Sequence, residues 1–255
     1  MPDALVLAGG RPDPELAQGV PNKAFAPILG KPMVEFVLAA LRGASSIKRI
    51  ALVGPVRLPP SVAAYVDLSV DERETLLDNI GAGLDALGSS DPVLAVASDI
   101  PLLTPQAVDA FATAAGVLGA DVVYAIIPRE DAERALPGIR KTFVRVRDGT
   151  FTGGSLILLR PGAFAKARDT IEAAVRARKQ PWELARLFGL QTVLGLLAGT
   201  LRIADLEQRA YEVTGLRIRA FICRTPEIGI DVDRPETLAI VQARLSAQDG
   251  SAVPG

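Results

Sequence analysis

The sequence predicts a three-layer α/β/α fold built on a mostly parallel, twisted sheet. Two observations carry that expectation. Short apolar runs alternate with segments of helical periodicity through the first half of the chain, the order that lays helices on both faces of a parallel sheet. The runs Ala4–Ala8 and Val93–Ala97 are apolar at every position, as in strands covered on both faces. With 255 residues, 49% hydrophobic and 22% charged, the chain has material for a sizeable core.

In chain order, the first strand is Ala4–Ala8, stopped by Gly9-Gly10. Pro32 to Leu41 reads as a helix, because Pro suits a first helical position and Val34, Val37, Leu38 and Leu41 fall on one face. Ile50–Val53 is a second strand and Arg73–Leu87 a second helix. Val93–Ala97 is the third strand, Thr104-Pro105 opens a helix that runs to about Val117, and Asp121–Ile127 is the fourth strand. Beyond Pro128 the rhythm changes. Arg129–Arg140 is charged and irregular, and Thr142–Val146 and Ser155–Leu159 read as strands flanking a turn at Gly149. Pro161–Arg178, Pro181–Thr200 and Ile203–Thr214 read as helical, Leu216–Cys223 as a strand and Pro235–Leu245 as a closing helix. Neither an internal repeat nor a linker is visible. The expectation is therefore one domain over residues 1–245, with a helical insertion at about 161–215 and a flexible tail at 246–255.

Composition narrows the chemistry. The chain has no His and a single Cys, Cys223. His is the commonest general base and metal ligand, so Ser-His-Asp triads, Cys-His dyads and His-ligated zinc are out of reach of this chain alone. One Cys excludes an internal disulfide and a multi-Cys metal site. Carboxylates, Lys, Arg, hydroxyls and backbone amides remain. With Lys+Arg 28 against Asp+Glu 29, nothing points to nucleic acid or an anionic membrane as partner. Met1–Ala8 lacks the pattern of a signal peptide. Leu187–Leu201 is interrupted by Gly189, Gln191, Gly195 and Gly199, and is shorter than the roughly 20 residues of a membrane span. A cytoplasmic protein is expected.

Three loops could carry the function. In an open α/β sheet, ligands bind at the carboxyl ends of the strands, and Gly9-Gly10 there would let a base or phosphate approach the backbone. Glycine turns are also common in their own right. The spacing fits neither G-x-G-x-x-G nor G-x-x-x-x-G-K-[ST], which argues against a dinucleotide fingerprint or a P-loop. Lys23 follows in a long loop between Pro21 and Pro27, either as a solvated surface charge or folded back over a phosphate. Asp99 is delivered to the same edge by the third strand, where it can serve as a turn residue ahead of Pro101 or as an oxygen ligand for Mg²⁺. In Gly229-Ile230-Asp231-Val232-Asp233-Arg234-Pro235-Glu236, the two acids are expected to face opposite sides, so that only one serves a shared metal. Asp233 also fits as the cap of the helix that opens at Pro235.

Taken together, Leu7–Gly10, Asn22–Met33, Ser98–Leu103 and Asp231–Leu238 resemble the MobA-like nucleotidyltransferases, whose fold is of the glycosyltransferase-A type. The four pieces stand in the family's order and span nearly the whole chain. Arg11 follows Gly10 directly, where many members carry an Arg-Met-Gly-like piece. The resemblance implies that Leu7, Ala8, Gly9 and Gly10 hold a nucleoside triphosphate, with Arg11 as a partial substitute for the missing piece. It implies that Lys23 contacts phosphates, that Asp99 and Asp233 bind Mg²⁺, and that Asp233 aligns better with the second ligand than Asp231. Asn79 becomes a candidate contact to the base. Gly154 and Ser155 belong to a turn that lines the acceptor side. The likeness also brings GTP-binding as an expectation, while the residues themselves leave the base open.

The expected activity is Mg²⁺-dependent transfer of a nucleoside monophosphate from an NTP to a small phosphorylated acceptor, such as a cofactor precursor, with release of pyrophosphate. Such chemistry needs in-line positioning and charge neutralisation more than a titrating base. A sugar-1-phosphate nucleotidyltransferase and a nucleotide-binding regulatory protein without turnover are the alternatives, and a dinucleotide-dependent oxidoreductase fits less well. A homodimer stays open.

Overall fold

The computed structural model describes residues 1–11, 13–138, 140–177 and 180–250. Strand β1 (Asp3–Leu7) leads through a long loop into the short hairpin β2 (Pro27–Ile28) and β3 (Lys31–Pro32), then helix α1 (Met33–Gly43). There follow β4 (Ile50–Gly54), α2 (Pro60–Ala63), β5 (Leu68–Asp71), α3 (Leu76–Leu87), β6 (Val93–Ala97), α4 (Pro105–Val117) and β7 (Val122–Pro128). The second half comprises α5 (Arg129–Ala135), β8 (Val144–Val146), β9 (Gly149–Leu159), the helices α6 (Pro161–Ala177), α7 (Pro181–Phe188), α8 (Leu190–Leu197) and α9 (Ile203–Thr214), then β10 (Ile218–Ile222) and α10 (Pro235–Gly250).

The main sheet runs β10-β7-β9-β6-β1-β4-β5, with β8 paired to β9. Strand β1 is parallel to β4 and β6, β4 to β5, and β7 to β10. Strand β9 runs against its neighbours β6 and β7, and β8 runs against β9. The strands are apolar on both sides because helices cover both. Ala4, Val6, Leu94 and Val96 pack with Val37, Leu38 and Leu41 of α1 and with Val108 and Phe111 of α4. Their sequence neighbours Leu5, Val93 and Ala95 pack on the other face with Ile80 and Leu84 of α3 and Phe164 of α6. Helix α3 comes unusually close at Gly83, where a Cβ would lie 2.2 Å from Leu5 Cδ1.

Helix ends follow the local sequence. Thr75 and Thr104 cap α3 and α4 by accepting from the amides of Asp78 and Ala107. Gly88 closes α3 with a left-handed φ of 57°.

Several boundaries differ from the sequence expectation. The charged stretch after Pro128 is helical as α5, because its charges pair off: buried Asp131 accepts from Arg134 and Arg224. Strand β9 starts at Gly149, well before Ser155, since its first residues pair with β8 and the end of β7. The apolar 181–200 segment breaks into two helices at Gly189, whose φ is 87°. Pro32 precedes α1 as its cap rather than opening it. Strand β5, helix α2 and the β2–β3 hairpin are too short for their periodicity to stand out. The closing helix passes Leu245 and reaches Gly250, because Val241 and Leu245 are buried against Met33 and Leu136. Of the expected tail, residues 251–255 lie outside the described residues, as does Arg178 at the expected end of α6.

Candidate active site

The carboxyl ends of β1 and β6 border a cleft of about 480 Å³, lined by Leu7, Gly9, Gly10, Arg11, Lys23, Ser98 and Asp99 among others. Parallel neighbours in register bring these ends together, since Leu7 lies opposite Ala97. The long loop after Gly10 returns to this edge through Asn22. This buried side chain donates to the carbonyl of Ala8 at 2.9 Å and accepts from the amide of Ala24 at 2.9 Å. Lys23 is thereby turned toward the strand ends.

There Lys23 meets two acids. Its Nζ lies 2.6 Å from Asp99 Oδ2 and also pairs with Asp233 Oδ1. Burial by itself would lower the pKa of the Lys23 ammonium, but the charges and hydrogen bonds of Asp99 and Asp233 outweigh it and hold the pKa above the ordinary lysine value. Asp233 is brought in by its own short-range pattern. Ile230 and Val232 are buried in the cluster that seats α10, and the amide of Val232 donates to the carbonyl of Asp99 at 2.8 Å.

The expectation that Asp231 and Asp233 face opposite sides is not met. In extended backbone, residues i and i+2 lie on one side, and with Ile230 and Val232 anchored inward both acids turn to the same cluster. Asp233 pairs with Lys23, and Asp231 pairs with Lys141. Among the described hydrogen bonds, Asp233 accepts none from the first turn of α10, so its carboxylate faces Lys23 rather than capping the helix. Lys141 is a residue that sequence reasoning missed. It lies in an irregular segment whose local sequence carries no signal, and only its meeting with Asp231 gives it away. Burial lowers the Lys141 pKa, and the carboxylates of Asp233 and Asp99 offset this only in part.

The glycine loop holds a second unforeseen group. The amide of Gly10 donates to Glu72 Oε2 at 2.7 Å, so a carboxylate sits where the resemblance expects phosphate. A Cβ on Gly9 would come within 2.5 Å of the same oxygen. Ala8 is buried and meets the loop through its carbonyl, not through the cleft. Asn79 does not line the cleft either. Its side chain accepts from the amide of Arg73 and lies beside Gly9, bracing the end of the 71–75 turn.

Gly154 and Ser155 lie within β9 rather than on a turn, because β9 stays paired to β7 on both sides of them and to β6 from Leu156 onward. The register with β7 shifts between Tyr124 and Ile126, which leaves extra β9 residues opposite Ala125. Ser155 and Gly154 stand one and two residues past the Val96–Leu156 rung, the last that β9 makes with the strand leading to Asp99. Farther along the sheet, an apolar cavity of about 410 Å³ lies under α9, lined by Tyr124, Val144, Val146, Phe151, Gly153 and Leu206 among others.

The donor set suits a hard cation. The Asp99 and Asp233 carboxylates already converge on one positive charge, the Lys23 ammonium, and two carboxylate oxygens are what a Mg²⁺ ion that keeps several waters requires. Among the described residues no group of three or more acidic or thiol side chains is placed to hold a metal unaided. No helix among the described residues is long and apolar enough to cross a membrane.

Residues 4–193 match the model of the MobA-like NTP transferase domain. Over 89% of this chain and 92% of the relative, the sequence is 26% identical to a 3-deoxy-manno-octulosonate cytidylyltransferase of Geobacter metallireducens. A hypothetical transferase from Thermus thermophilus superposes with a TM-score of 0.84 at 40% identity, covering 93% of this chain and 99% of that one. A CMP:2-keto-3-deoxy-manno-octonic acid synthetase complexed with CTP shares the fold, with a TM-score of 0.63 at 16% identity over 97% of this chain and 100% of that one.

Proposed function

The chain belongs to the MobA-like NTP transferase family and is a nucleotidyltransferase; from that premise we propose that it moves a nucleoside monophosphate from an NTP to a phosphorylated acceptor, using Mg²⁺ held by Asp99 and Asp233. The observation that carries this reading is the convergence of Asp99 and Asp233 on Lys23, with Lys23 and Asp99 lining the same cleft as Gly9 and Gly10. An acceptor phosphate oxygen attacks the α-phosphorus, the bond from that phosphorus to the α–β bridging oxygen breaks, and pyrophosphate leaves with the electron pair. Lys23 exchanges its carboxylate partners for phosphate oxygens and offsets charge as the bond breaks. The Gly10 amide, released by Glu72, donates to the triphosphate. Bound Mg²⁺ supplies Lewis-acid stabilisation of phosphate oxygens. A phosphate acceptor is already anionic, so a chain without His can run the reaction without a titrating base.

A second reading is favoured by the cytidylyltransferase relative. That relative, a 3-deoxy-manno-octulosonate cytidylyltransferase, supports a cytidine nucleotide and a sugar acid as acceptor. A sugar 1-phosphate acceptor uses the same machinery. Pyrophosphate release should therefore be measured with CTP, GTP, UTP and ATP against sugar phosphates, sugar 1-phosphates and sugar acids. Asp99→Asn and Lys23→Ala are each expected to lower kcat/KM by roughly 10²-fold or more, the usual loss when one charge-stabilising group is removed. Variants that kept the wild-type rate would remove these residues from the mechanism.

A further inference from the structure

Lys141 and Asp231 form an ion pair that nucleotide transfer, as carried by Lys23, Asp99 and Asp233, leaves unused. Their side chains are only 11% and 24% exposed, which is low for a surface pair. Asp231 Oδ1 is fully covered and has no hydrogen-bond donor of ordinary geometry, so Lys141 is its counter-charge among the described residues. Neither residue lines the cleft bordered by the glycine loop and Lys23. Both nevertheless stand at the acid cluster, since Lys141 pairs with Asp231 and Asp231 lies two residues before Asp233, the partner of Lys23. Among the described residues the cluster thus has two lysines, of which Lys23 lines the glycine-loop cleft and Lys141 does not.

In-line transfer requires the acceptor to approach from the side opposite the departing pyrophosphate. If the glycine loop and Lys23 hold the triphosphate, Lys141, at the acid cluster but outside that cleft, is the lysine left for the acceptor. An ammonium has three donors, and a single carboxylate leaves capacity for another anion. We propose that Lys141 binds the anionic group of the acceptor, a phosphate or a carboxylate, and that Asp231 is the resting counter-ion the acceptor displaces. The inference rests on the nucleotidyltransferase reading for its biological meaning, but the anion site can be tested by itself.

The full-length chain is titrated with inorganic phosphate and with acetate in the K23Q background, where the lysine on the glycine-loop side is gone. Adding K141Q should abolish anion binding, whereas adding D231N should tighten it by roughly five- to ten-fold, as expected when a competing charge-assisted partner is removed. The stronger of the two anions identifies the phosphate or the carboxylate as the preferred group. With Lys23 intact and any acceptor that is turned over, K141Q should raise the acceptor KM about ten-fold while leaving the NTP KM unchanged. D231N should lower the acceptor KM, and K141R should recover most of the loss. A pair that merely staples two segments would behave differently: K141Q and D231N would then lower the Tm alike and move anion binding in the same direction or not at all, and that result overturns the proposal. Failure of MgNTP to raise the wild-type Tm would sink the nucleotidyltransferase reading separately, with the phosphate and acetate titrations still deciding Lys141.

Discussion

Asn22 does more for the cleft than its place beside Lys23 suggests. It is buried, and its amide closes one hydrogen bond to the end of β1 and another within the turn that presents Lys23. Replacing it with Ala would leave the carbonyl of buried Ala8 without that partner. Asn22→Ala should lose about 1–3 kcal/mol in a urea unfolding series, the range for a buried polar group left unsatisfied. Because Lys23 would lose its fixed approach to Asp99, the same variant should also bind MgNTP more weakly. Lys23 itself contributes stability in its charged form. Its pKa is raised in the folded protein, so that contribution is present at neutral pH and fades only above the ordinary lysine range.

At the level of elements, the first and fourth helices are tied by one carboxylate. Asp109 of α4 accepts from the amides of Ser45 and Ser46 and from the Ser45 hydroxyl, just beyond the end of α1. Hydrogen bonding from Ser46, joined by the amide and hydroxyl of Ser45, outweighs partial desolvation and holds the Asp109 pKa down to about 2 from 3.8. A lowered carboxyl pKa stabilises the fold at every pH above the unfolded value, and the gain disappears as pH falls through the folded one. Asp109→Asn should therefore unfold at a lower temperature than the wild type at pH 7. The gap between the two melting curves should close as the pH is taken from about 4 to about 2. A gap independent of pH would mean that the side chain's shape, not its charge, joins the two helices.

For the molecule as a whole, ligand linkage offers the broadest check. A ligand that binds only the folded chain stabilises it by about 2.7 kcal/mol at a concentration of 100 times its Kd. MgNTP should accordingly raise the Tm of the wild type in a concentration-dependent way, and the shift should shrink in Lys23→Gln. Equal shifts in both proteins would place the nucleotide somewhere other than the cleft between Gly10 and Lys23. This test needs no knowledge of the acceptor. It separates nucleotide binding from turnover, and so from the sequence-based alternative of a binding protein that has lost catalysis.

What the sequence determined by itself was the architecture and the glycine, Lys23 and Asp99 loops at one edge. Those features are local: continuous apolar runs specify strands covered on both faces, threonines ahead of helices specify caps, and a strand's last residue must emerge where the sheet ends. Short pieces such as β5 escaped because a few residues hold too little periodicity, and α5 escaped because its charges are neutralised by a partner, Arg224, that lies far along the chain. The tertiary structure alone decided which charges meet. Lys23 and Asp233 are 210 residues apart, and Gly10 and Glu72 are 62 apart. Their encounter depends on the order of strands in the sheet and on the packing of Ile230 and Val232, which turns Asp231 and Asp233 to one side. The Lys141–Asp231 pair was invisible for the same reason, since an ion pair between distant segments leaves no periodic trace in either of them.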